Sequence, residues 1–208
     1  MDKQALENKQ NKTQEMANKV LELETAQDKV AEVVDKLEDA KGKDAEAIVE
    51  LQEQLEQIDQ DKLEATDVTS AKKLIKKAKD IQEEIELTKG VNQARAKQRT
   101  QELEDVAEEL FSAHKKTDFL YKSLETTYKK TVSVNSLQED NELLADFAKT
   151  INNAFAYTRS VLIDFEIVSR SDANRQYKGI HLGQRSLHTD LKRLFNPEQL
   201  RQLTQIVR

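Results

Sequence analysis

The chain has 208 residues, 35% of them charged and 37% hydrophobic, with a net charge of −6 and a mean hydropathy of −0.78. So little apolar material excludes a wide globular core, and the absence of Cys excludes disulfides and thiolate-bound metal. One Pro and four Gly leave few interruptions, so the predicted fold is all-α, an elongated antiparallel bundle of long coiled-coil-like helices.

The start, Met1 to Glu7, lacks the apolar stretch of a signal peptide, which predicts a cytoplasmic protein. From Leu6, Lys9, Thr13, Met16, Val20, Leu23, Gln27, Val30 and Val34 to Leu37, steps of three and four form one heptad seam. Lys9, Thr13 and Gln27 are its polar positions, suited to setting register or partner number. Gly42 reads as a helix stop, with Asp44 capping the next helix. The second seam runs Ile48, Leu51, Leu55, Ile58, then weakens between Thr66 and Ser70 and resumes as Ala71, Leu74, Ala78, Ile81 and Ile85. A kink or short break is expected there, with Asp67, Thr69 or Ser70 as its cap, and a reversal at Lys89-Gly90. Beyond Gly90 the heptad frame needs a shift of four residues to reach Leu103, Val106 and Leu110.

All ten aromatic side chains follow position 110, from Phe111 to Phe195. In the third segment a flanking column, Ala107, His114, Tyr121 and Tyr128, widens the apolar stripe beyond a two-helix seam. Ser133–Asn135 breaks the helix, and Ser136 with Glu139 forms a capping-box pattern. The fourth helix, Leu137 to Val168, is apolar around most of its circumference and should be the most buried. These breaks give four segments of about 40 residues, each on the order of 60 Å long. The predicted domains are an aliphatic coiled-coil hairpin over 1–90, an aromatic-containing hairpin over 91–170 that completes the bundle, and a basic region over 171–208. That last region reads as a loop, Ser171 to Arg185, and a small helical hairpin, Ser186 to Phe195 and then a helix started by Asn196-Pro197.

Acidity is concentrated in the front: residues 1–65 carry 18 acidic and 9 basic side chains, whereas the balance turns positive from Val168 onward. The most apolar run, Val161 to Val168, is interrupted by Asp164 and Glu166 and is far shorter than the roughly 20 residues of a membrane span. No membrane insertion is expected.

No constellation with catalytic spacing emerges. His114, His181 and His188 fit no helical metal motif, and no cofactor is predicted. His114 reads as a packed or partly exposed core residue. Glu166 should face solvent, and Asp164 should bond to a neighbouring helix or to an Arg or Lys. The run Lys72, Lys73, Lys76, Lys77 and Lys79 lacks interleaved aromatics, and its expected role is to pair with the acidic first helix.

The reading is therefore a non-enzymatic structural or assembly protein, a helical spacer with a docking end and a homo-oligomer. The partner-binding candidates are Arg185, Leu187, Leu191, Lys192, Arg193, Phe195, Leu200, Arg201 and Leu203, whose apolar side must cover the bundle end or a protein partner. With its acidic helical body and basic C-terminal hairpin, the chain resembles in outline the internal scaffolding proteins of tailed bacteriophages, a likeness that transfers no residue roles. It implies a virion or host-cytoplasm setting. The alternative is a nucleic-acid-binding or regulatory protein whose residues 170–208 meet phosphates.

Overall fold

The computed structural model describes residues 3–131, 136–171, 176–178, 180–183 and 187. Three helices dominate: α1 (Lys3–Glu64), α2 (Val68–Thr131) and α3 (Leu137–Asp164). They are followed by a two-residue antiparallel strand pair, β1 (Gln176–Tyr177) and β2 (Ile180–His181). The two long helices, of 62 and 64 residues, pack together.

The breaks expected at Gly42 and Gly90 do not occur. Both glycines lie inside continuous helix, and three helices replace the expected four segments. The connection between α1 and α2 is the short segment 65–67, at the weak patch of the second seam. Asp67 caps α2 there: its Oδ1 accepts the Ser70 N–H at 2.8 Å and its carbonyl accepts the Ala71 N–H at 3.1 Å. The hydroxyl and N–H of Ser70 hold the Asp67 carboxyl below the usual range.

A glycine inside a helix costs only about 1 kcal/mol relative to Ala, which the packing of two long helices easily outweighs. Just past Gly42, the Asp44 carbonyl accepts from Asn92 Nδ2 at 3.3 Å and its carboxylate meets Arg99 Nη1 at 3.5 Å, so this part of α1 is held against α2. Helix α2 runs on without a break through the frame shift of four. A Cβ at Gly42 or Gly90 would meet nothing within 4 Å, and neither glycine adopts a positive φ. Gly42→Ala and Gly90→Ala are thus each expected to stabilise the chain by about 0.5–1 kcal/mol, read from urea unfolding followed by far-UV circular dichroism. Destabilisation by either, as at a left-handed helix stop, would contradict the continuous helices.

The chain divides into two compact units. Residues Met1–Ala31 with Glu104–Arg208 form one, and Glu32–Leu103 the other. In the first, three helices share a core. From α1 come Met16, Val20, Leu23 and Val30; from α2 come Ala107, Leu110, Phe111, Tyr121, Leu124 and Tyr128; and from α3 come Leu144, Phe147, Ile151, Phe155 and Leu162. The widened stripe of α2 has its explanation here, because a helix touching two neighbours must be apolar over a broader arc. Phe155 joins the layers, its ring 5.4 Å from that of Phe111 and 4.8 Å from His114. Burial pushes the His114 pKa down, which favours the neutral ring.

The second unit contains only the two long helices, and its core is correspondingly narrow. Ile58, Ala78, Ile81 and Ile85 are buried, with Leu51, Leu55 and Leu74 packed against them. Around the first seam it is Val33, rather than Val34, that is buried between Val30 and Leu37.

Two further expectations change. Helix α3 starts at Leu137, but Ser136 makes no side-chain cap; its Oγ instead donates to the Asp140 carboxylate at 3.0 Å, a charged and therefore stronger acceptor. The helix ends at Asp164 and not at Val168. Glu166 adopts φ 59, and the Val168 N–H returns to the Leu162 carbonyl at 3.0 Å, which buries Val168 beneath the end.

Candidate interaction surfaces

A polar constellation lies in the first unit, where Lys9, Thr13, Tyr128 and Asp140 meet. Lys9 Nζ donates to both Asp140 oxygens at 2.7 and 2.6 Å, with only 12% and 10% of the two side chains exposed. The same ammonium group sits 4.4 Å from the centroid of the Tyr128 ring, an arrangement that a ring quadrupole favours. Thr13 Oγ1 pairs with the Tyr128 hydroxyl at 2.8 Å, and Lys12 Nζ donates to Ser123 Oγ and Thr127 Oγ1 at 2.9 and 3.0 Å. The polar seam positions Lys9 and Thr13 thus bind within the chain. Asp140, the partner of Lys9, lies 131 residues from it, and its only sequence signal is a place in the first turn of α3.

A second junction ties the strand pair to α2. Where a loop was expected over Ser171 to Arg185, Lys178 takes φ 45, the left-handed backbone that a two-residue hairpin connection requires. Its Nζ meets Glu104 at 3.1 Å and Glu108 at 3.3 Å, and the Tyr177 hydroxyl donates to Glu104 at 3.0 Å. Burial first, then the Glu104 carboxylate, pushes the Tyr177 pKa up to about 12. Lys178 is held above the usual lysine range by its bond to Glu104. Glu108 also lines an open groove of about 460 Å³ with Lys19, Glu22, Glu109 and Lys116. Several of its charges are engaged: Lys19 with Glu22, Glu109 with Lys29 and Glu108 with Lys178.

Of the partner-binding candidates, the structure places Leu187. It is buried, and its N–H donates to Asn152 Oδ1 on α3 at 3.1 Å. Arg185, Leu191, Lys192, Arg193, Phe195, Leu200, Arg201 and Leu203 lie outside the described residues, as do His188 and the two expected tail helices. His181 Nδ1 accepts the Gly183 N–H at 3.1 Å. Asp164 is exposed and accepts from Ser160 Oγ on its own helix at 3.2 Å, in place of the expected neighbouring helix or cation. Among the described residues, no helix is long and apolar enough to cross a membrane.

The lysine run of α2 behaves differently from expectation. Lys72, Lys73, Lys76 and Lys77 are exposed and, among the described residues, make no ion pair with α1; Lys79 meets Glu83 of its own helix at 3.8 Å. Four carboxylates of α1, Glu46, Glu50, Glu53 and Glu56, are likewise exposed without an ion-pair partner among the described residues. A helix pair joined through a narrow apolar seam leaves the outer side of each helix too far from the other for direct pairing. No family model, curated protein or solved structure matches the chain.

Proposed function

We propose that this chain is a non-enzymatic structural or assembly protein, a helical spacer and docking module for protein partners. The observation that carries this reading is the use of two helices of 62 and 64 residues to supply both compact units. We read their packing as an antiparallel coiled coil. Lys12 meets Thr127, Lys29 meets Glu109 and Asp44 meets Asn92, so partner numbers fall along α2 as they rise along α1. The Lys9–Asp140–Tyr128 cluster supports a structural role, since its charges are spent on fixing the register of three helices.

In this reading the basic tail meets the partner while Leu187 anchors it. Capture from a native lysate with the full chain as bait, beside a variant carrying R185E, K192E, R193E and R201E, tests it. The expected result is a protein partner retained by the first bait and lost by the second. Indifference to the four reversals would overturn the tail assignment. Steep salt-dependent binding of nucleic acid, abolished by the same reversals, would establish the alternative function.

A further inference from the structure

We propose that the second unit associates with further copies of itself, the lysine face of α2 in one copy docking on the carboxylate face of α1 in the next. At 100° per residue, Lys72, Lys76 and Lys79 fall on the side of α2 opposite Leu74, Ala78 and Ile81, with Lys73 and Lys77 together on one flank between that side and the seam. By the same geometry Glu46, Glu50, Glu53 and Glu56 lie on the side of α1 away from Leu51, Leu55 and Ile58. The unit is therefore a two-helix layer with a basic outer face on one helix and an acidic outer face on the other.

Each face also carries apolar side chains that the unit itself leaves uncovered. Val68 and Ile75, 72% and 59% exposed, flank the lysines; Val49 and Leu63, 49% and 89% exposed, flank the carboxylates. Charge complementarity selects the occupant: of the surfaces on this chain, the acidic α1 face matches the basic α2 face in sign and in helical form, and both offer aliphatic groups to cover. Because the two faces differ and point away from each other, the contact is heterologous. It does not close on a pair, and growth continues past the dimer as concentration rises.

Self-association of this kind rests on the assembly role proposed above and deepens it. The purified full chain decides it, whereas capture with the tail variant decides the broader role, so the two can fail separately. Light scattering coupled to gel filtration, run at ~50 mM and ~500 mM salt, should show mass rising beyond a dimer with concentration at low salt and falling back at high salt. K72E/K73E/K76E/K77E leaves both faces acidic, and E46K/E50K/E53K/E56K leaves both basic. Each variant alone should be monomeric, and an equimolar mixture should recover the large species. The chain carrying all eight reversals should again self-associate, which separates lost complementarity from lost folding, and far-UV circular dichroism of each variant should match the parent. A parent that is monomeric at low salt, or that stops at a dimer, overturns the proposal. So does a mixture that fails to associate, or a lysine face that binds anionic vesicles or nucleic acid while the chain stays monomeric.

Discussion

Asp140→Ala is expected to destabilise the first unit by about 3–5 kcal/mol, the usual cost of stranding one member of a buried ion pair. Lys9 Nζ would lose both of its acceptor oxygens while its side chain remains only 12% exposed. The face of Tyr128 at 4.4 Å offers attraction but no hydrogen-bond acceptor to replace them. Removing both charges together should be far milder. Lys9→Met with Asp140→Leu replaces a desolvated pair by apolar packing of similar volume, a change that is commonly neutral or better. All four tyrosines, Tyr121, Tyr128, Tyr157 and Tyr177, belong to the first unit, so near-UV circular dichroism during urea unfolding reports on it alone. A loss below about 1 kcal/mol for the single variant would mean that water screens the pair as it does at a surface.

Phe111→Ala is expected to cost a similar amount, about 3–5 kcal/mol, through lost burial and the cavity left behind. The ring is 1% exposed and stands 5.4 Å from Phe155, which in turn contacts His114, so three side chains on two helices lose their packing together. Phe119, eight residues on in the same helix, is the natural control. It is 77% exposed, and Phe119→Ala should stay within about 0.5 kcal/mol. Comparable losses at the two positions would show that the first unit is not built around the aromatic layer described here.

Much of the helical character was legible because it is local. Met16, Val20, Leu23 and Val30 recur at the spacing of one helical side, and all four are buried. The column Ala107, His114, Tyr121 and Tyr128 likewise announced a helix with more than one neighbour, and all but the half-buried His114 are buried. The breaks expected at the two glycines are absent because packing outweighs their local cost. Gly42 and Gly90 are weak helix formers, yet about 1 kcal/mol each cannot interrupt helices that gain along their whole length from a partner. The true break, at 65–67, depends on Asp67 finding the Ser70 N–H, and several nearby residues offered equal capping chemistry. Ser136 shows the converse: a good capping pattern was overridden by a carboxylate that the distant Lys9 holds in place.

By itself the sequence determined that the chain is helical, which side of most helices is apolar and where aromatic rings concentrate, since periodicity and composition act over neighbouring turns. Only the tertiary structure decided which apolar sides meet. It joined the first 31 residues to the segment after Leu103, gave Lys9 its carboxylate and left the lysines of α2 facing outward. The physical reason is that a heptad seam states that a partner exists without naming it. Burial of one specific set of side chains, with their charges satisfied, selects among partners that the local pattern leaves equivalent.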